Sequence, residues 1–269
     1  MSETTVYDIA TKHDIIEGAP NRTLESAILI MGTKNFRRLP ITKLGKIRGI
    51  LTVTDIIRAI ALKGLPEAFD EEITDWMTKI PKTVDPSTTI KDATKMMSAG
   101  NFGSLLIVDH GSDILKGIVT ERDILRFEQN SELDIALADI DQTLLTEGFV
   151  RVDKSVSLED AIKMMNDART HRILTFDGDE ISGILTANSI TELCSKEREE
   201  ISQNRNFLKS INADFVASNN VISMDYNNTI AEAVRIMVRE NIGSLPLVKD
   251  GKVMGIFSER SLVHFLGAD

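Results

Sequence analysis

Cysteine is almost missing from this sequence. Cys194 is the only one, which excludes a disulfide framework and a cysteine-based metal cage. There is no apolar run near the roughly 20 residues that a membrane span needs, and the stretch after Met1 is too polar for a secretory signal. Positive charge is in deficit. The formal net charge is −10, which argues against a general affinity for the phosphate backbone of nucleic acids. Catalytic signatures are missing too: there is no Gly-x-x-x-x-Gly-Lys-(Ser/Thr), His-Glu-x-x-His, Cys-x-x-Cys or Gly-x-Ser-x-Gly. Four scattered histidines and one cysteine leave little from which to assemble a nucleophile and its base. The chain reads as soluble, cytoplasmic and non-enzymatic, and its 269 residues, 42% of them hydrophobic, suffice for a sizeable core.

What is present is repetition. Ala-x-x-(Ile/Met)-Met occurs at Ala27–Met31, Ala93–Met97, Ala161–Met165 and Ala233–Met237. Gly-hydrophobic-hydrophobic-(Thr/Ser) follows each, at Gly49–Thr52, Gly117–Thr120, Gly183–Thr186 and Gly255–Ser258. Two motifs held in register four times make the chain a four-copy array.

Each copy reads as strand, helix, strand, strand, helix. In copy two, Thr83–Val84 is a short strand and Asp85-Pro86-Ser87 is turn chemistry. Thr89-x-x-Asp92 opens a helix that places Ile90, Ala93, Met96 and Met97 on one face. Asn101–Gly103 closes it, Gly103 being the residue suited to a left-handed cap. A hairpin follows across Asp109–Asp113, and the second helix starts at Thr120. The capping box recurs at Ser157/Asp160 and Thr229/Glu232, and more weakly at Thr23/Ser26. At this spacing the methionines are core residues. Linking stretches fall at Lys63–Thr74, Phe127–Leu137 and Ser195–Ile211, the last a solvated charged helix. A lead-in precedes each copy, at Asp8-Ile9-Ala10, Asp75-Trp76-Met77, Asp139-Ile140-Asp141 and Asp214-Phe215-Val216. It is expected to tether a helix onto the neighbouring unit, with Trp76 as packing.

The repeat resembles the cystathionine-β-synthase (CBS) domain, whose familiar endings match Gly117-Ile-Val-Thr-Glu-Arg-Asp123 and Gly49-Ile-Leu-Thr-Val-Thr-Asp55. The resemblance implies an α/β (α+β) fold of four βαββα repeats, at 1–64, 70–130, 136–196 and 207–269. Copies one and two would form one Bateman module, and copies three and four a second. The two modules are expected to assemble into a flat disc, closed by one chain or paired as a homodimer. Four copies without a catalytic domain resemble the γ subunit of AMP-activated protein kinase and its stand-alone archaeal relatives. That resemblance implies adenine nucleotides (AMP, ADP or ATP) as ligands rather than cofactors, no metal, and an unidentified regulated protein as partner.

Two sets of residues carry the ligand expectation. Thr52/Asp55 and Thr120/Asp123 form Thr-x-x-Asp. Spacing alone reads this as a helix capping box; the resemblance reads it as a carboxylate accepting from both ribose hydroxyls, and one residue can do both. Copies three and four keep the hydroxyl but replace the carboxylate, as Thr186/Ser189 and Ser258/Ser261. Their clefts are expected to be weak, empty or specialised, since losing a charge-assisted pair costs about ten- to a hundredfold in affinity. The second set is basic. Arg37-Arg38 and His171-Arg172 precede the second strand in copies one and three, where copies two and four have Gly103-Ser104 and Gly243-Ser244. By resemblance these cations face phosphates, which guanidinium forks bind well. Ile80, Pro81 and Thr83 are expected near one adenine. S-adenosylmethionine, another adenosyl ligand, and a scaffold with vestigial clefts stand as alternatives.

Overall fold

The computed structural model describes residues 3–146 and 149–268. Met1 and Asp269, the outer bounds expected for copies one and four, and the start of the polar N-terminal stretch lie outside them. The described chain is a mixed α/β array of four equivalent units. Copy two has strand Thr83–Val84, helix Ile90–Gly100, strands Ser104–Val108 and Leu115–Thr120, and helix Glu121–Phe127. Its short strand pairs parallel with the next, which pairs antiparallel with the third. Copies three and four repeat this order. Copy one is reduced: its first strand shrinks to one bridge, Gly18 to Ile41. A glycine offers no side chain to pack, and Pro20 two residues on cannot donate to a ladder.

Helix starts follow the sequence. Thr23, Thr89, Ser157 and Thr229 each accept the N–H of the residue three positions on. The C-terminal cap differs from expectation. Asn101, not Gly103, adopts the left-handed conformation, as do Asn35, Asn241 and Arg169 at equivalent positions. Met31, Met97, Met165 and Met237 have no exposed surface, each contributing about 1.5–3 kcal/mol on burial.

The motif glycine has a packing reason. Gly49, Gly117, Gly183 and Gly255 stand opposite Ile41, Ile107, Thr175 and Leu247, beside a β-bulge that recurs at the same place in every hairpin. Lead-in backbone crosses each glycine. A Cβ on Gly49 would lie 2.8 Å from the Thr78 carbonyl oxygen, and one on Gly255 2.6 Å from that of Leu145. On Gly117 the nearest backbone atom would be Thr11 O at 3.2 Å, and on Gly183 Ala217 Cβ would be 2.8 Å away. The lead-ins therefore cross over. Thr11, ahead of copy one, bridges Ile118 of copy two, and Thr78, ahead of copy two, bridges Ile50 of copy one. In the second half, Ala136 bridges Thr229 of copy four and Ser218 bridges Ile184 of copy three.

Helix packing divides the chain into two compact units. One holds 16–80 and 148–221, hence copies one and three; the other holds 1–15, 81–147 and 222–269, hence copies two and four. In the first, helix Leu24–Lys34 packs along Ala187–Lys196 and Val53–Lys63 along Leu158–Asp167, around one continuous apolar cluster. Its Gly32 lies so close to the other helix that a Cβ would sit 2.5 Å from Ser195 Cβ. The second unit makes the equivalent contact with the roles exchanged, Gly267 against Ser98 at 2.4 Å. Its core comprises two apolar clusters and a reciprocal ion pair. Arg122 of copy two reaches Glu259 of copy four at 2.6 Å, and Arg260 of copy four reaches Glu121 of copy two at 3.3 Å. Both glutamates are buried. The linker at Ser195–Ile211 is not simply solvated, since helix Arg198–Gln203 buries Ile201.

Candidate functional site

One geometry recurs at the start of each second helix. The hydroxyl residue that ends the third strand is the helix N-cap, and it stands opposite the first residue of the second strand. The pairs are Thr52 with Arg38, Thr120 with Ser104, Thr186 with Arg172 and Ser258 with Ser244. A backbone bond fixes the residue before. The first helical N–H, which has no partner inside its helix, donates to Arg37 O from Val53 (3.0 Å) and to His171 O from Ala187 (2.9 Å). In copies two and four it donates from Glu121 to Gly103 O (3.1 Å) and from Glu259 to Gly243 O (3.2 Å). The strand-start dipeptide and the cap are thereby adjacent in every copy. Alternation of the basic dipeptide places Arg37, Arg38, His171 and Arg172 all in the unit of copies one and three.

The caps differ chemically. Asp55 Oδ2 accepts the Thr52 N–H at 2.9 Å and its hydroxyl at 2.8 Å. Asp123 Oδ2 accepts the same groups of Thr120 at 2.8 and 2.7 Å. Each carboxylate thus caps its helix through one oxygen, Oδ2. Ser189 donates its hydroxyl to Thr186 O at 2.9 Å, and Ser261 donates to Leu144 O at 2.7 Å. Burial pushes the Asp55 carboxyl above the ordinary aspartate range, against the opposing pull of the Thr52 hydroxyl, the Thr52 N–H and Arg58.

Arg172 is buried, and its Nη2 lies 2.5 Å from His171 Nε2. Guanidinium nitrogens only donate, so in this contact the imidazole nitrogen is the acceptor. Arg37, Arg38 and His171 are half-buried. Of the expected adenine wall, Ile80 is 91% exposed, Pro81 is half-buried, and Thr83 is exposed on the short strand of copy two. Ile80 falls in one compact unit, Pro81 and Thr83 in the other.

Sequence reasoning passed over two features. The Glu-Arg dipeptides at 121–122 and 259–260 are repeat-equivalent, which was the available signal for their reciprocal pairing. Arg58, one turn beyond Asp55, contacts both Asp55 and Trp76; periodicity alone reads it as an exposed helical charge.

Comparison with known proteins agrees with this repeat pattern. The model of the CBS domain matches four times, at residues 6–62, 72–130, 138–196 and 213–268. Protein MJ1225 of Methanocaldococcus jannaschii is 23% identical over 284 residues, covering 97% of this chain and 98% of that one. Its crystal structure, described as that of a candidate archaeal homologue of γ-AMPK, superposes with a TM-score of 0.85 at 20% identity, over 97% of this chain and 99% of that one. A conserved protein from Pyrococcus horikoshii gives 0.64 at 18% identity, over 98% and 100%. The CBS domain-containing protein YhcV of Bacillus subtilis is 31% identical over 120 residues, 44% of this chain and 81% of that one.

Proposed function

Because this chain belongs to the CBS-domain family and carries four copies of the domain, we propose that it is a non-catalytic regulatory module. It binds adenine nucleotides (AMP, ADP or ATP) and signals their level to a partner protein. The observation that carries this reading is in copy one. There a strand-start Arg37-Arg38 lies beside a Thr52-capped helix whose Asp55 keeps one carboxylate oxygen outside the cap. Asp55 accepts the ribose hydroxyls and the arginines take phosphate oxygens. Asp123 holds a second ribose, without a basic dipeptide in its own copy. Copies one and two form one Bateman module and copies three and four the other, within a cytoplasmic protein.

The second half favours a different reading. The Ser189 and Ser261 hydroxyls are committed within the fold, so its ribose positions are vestigial and it serves as scaffold, or its His171-Arg172 pair lends charge to an anion. A thermal-shift panel of AMP, ADP, ATP, adenosine and S-adenosylmethionine on wild type and Asp55→Ala/Asp123→Ala tests the proposal. One site held at 100 times its dissociation constant adds about 2.7 kcal/mol, or several degrees. Phosphate-dependent stabilisation lost in the double variant is the expected result. No shift with any adenosyl ligand makes the aspartates helix caps only. Chromatography of ATP incubated with the protein should recover it unchanged.

A further inference from the structure

Asp55 Oδ1, the oxygen outside the cap, faces a cation on its own helix: Arg58 Nη2 is 3.4 Å away. That nitrogen also donates to the carbonyl of Trp76 at 2.9 Å, and the guanidinium lies over the indole, 5.4 Å from its centroid. Trp76 ends the short helix Ile73–Trp76 of the lead-in. Its indole N–H donates to Glu71 Oε2 at 3.0 Å, and Lys63 holds Glu71 Oε1 at 2.9 Å. Lys63 and then Trp76 hold the Glu71 carboxyl below its ordinary range. Two residues further, Thr78 exchanges both backbone hydrogen bonds with Ile50, at 3.0 and 2.9 Å. The chain leaving copy one for copy two is thus pinned to copy one at two points, and one pin is Arg58.

The arrangement belongs to copy one. Three residues beyond the other ribose positions stand Arg126, Glu192 and His264. The residues matching Trp76 on the lead-ins seated there are Ile9 on copy two, Val216 on copy three and Ile140 on copy four. Trp76 is 8% exposed, Val216 is half-buried, and none of the three matching residues is aromatic.

We propose that Arg58 is a positioning residue that couples the occupancy of Asp55 to the tether running from copy one into copy two. This rests on the reading of Asp55 as a ribose acceptor. A vicinal diol that donates to both carboxylate oxygens displaces Arg58 from Oδ1, or shares that oxygen with it. The guanidinium charge is then balanced differently, and its hold on the Trp76 carbonyl and ring changes with it. Half-exposed Arg58 can move, whereas Asp55 is fixed by its cap.

Trp76 is the only tryptophan, so its emission reports on this clamp. AMP is titrated into the full-length protein while emission wavelength and acrylamide quenching are followed, and binding is measured in parallel by calorimetry. Wild type should show an emission shift that saturates with the calorimetric isotherm. Arg58→Gln should still give an isotherm with the emission response lost, and Arg58→Lys, which keeps the charge but not the planar fork, should give a partial response. Asp55→Asn should remove copy-one binding and the response together. Asp55-dependent binding with unchanged wild-type emission overturns the coupling and leaves the nucleotide reading standing, as does an undiminished response in both Arg58 variants. No Asp55-dependent binding at all overturns the nucleotide reading, and the coupling with it.

Discussion

Asp55 caps its helix and, in the proposed reading, is also a ligand group. Its Oδ2 closes the helix N-terminus, and burial raises its pKa in the folded chain. The folded state therefore keeps this proton to higher pH than the unfolded state. Stability attributable to Asp55 falls as pH rises from the ordinary aspartate range through the raised value, and is level above it. Asp55→Asn retains an oxygen for the Thr52 N–H and removes the buried charge. Without ligand, its melting temperature at neutral pH should equal or exceed that of wild type, with the difference vanishing in acid. A loss of about 1 kcal/mol at neutral pH would mean that the carboxylate's capping outweighs the cost of its burial. Nucleotide binding should weaken as pH falls, at a pH above the 3.8 of an unperturbed aspartate, which calorimetry across pH can check. Thr-x-x-Asp was legible in the sequence, as were both of its readings. Which oxygen does which task was not, because that depends on a side-chain rotamer. Arg58 was illegible because its partner Trp76 lies 18 residues away on a crossing segment.

Among the elements, helix starts were the most legible, since a cap depends on residues three apart. The left-handed C-terminal position went to Asn101 rather than Gly103 because the helix ends two residues sooner. The motif glycines were visible as a repeat but not explained by it. Their reason is the lead-in backbone above them, a contact brought from another copy. Substitutions should rank accordingly. Gly255→Ala, with a carbonyl oxygen 2.6 Å from the new Cβ, should cost about 1–3 kcal/mol. Gly117→Ala, whose nearest neighbours stand at 3.2 Å, should cost less. Denaturant midpoints of the two variants give the order, and equal midpoints would show that the lead-ins yield freely.

At the scale of the whole molecule, the four-copy organisation was readable from two motifs in register, but the helix packing that groups copies one with three and two with four was not. The two units are also built differently inside, one around a continuous apolar core and the other around two apolar clusters with the Arg122–Glu259 and Arg260–Glu121 pairs. Glu259→Gln leaves Arg122 without its carboxylate and should cost about 1.5–3 kcal/mol; an Arg122→Gln/Glu259→Gln double-mutant cycle should show positive coupling between the two. The central claim, that copy one recognises a nucleotide by its ribose and phosphate together, is tested most directly by calorimetric titration of AMP and adenosine into wild type, Asp55→Asn/Asp123→Asn and Arg37→Ala/Arg38→Ala. The account predicts that AMP binds wild type more tightly than adenosine, that the arginine variant loses this preference, and that the aspartate variant loses binding of both. Undiminished AMP binding in both variants would contradict it.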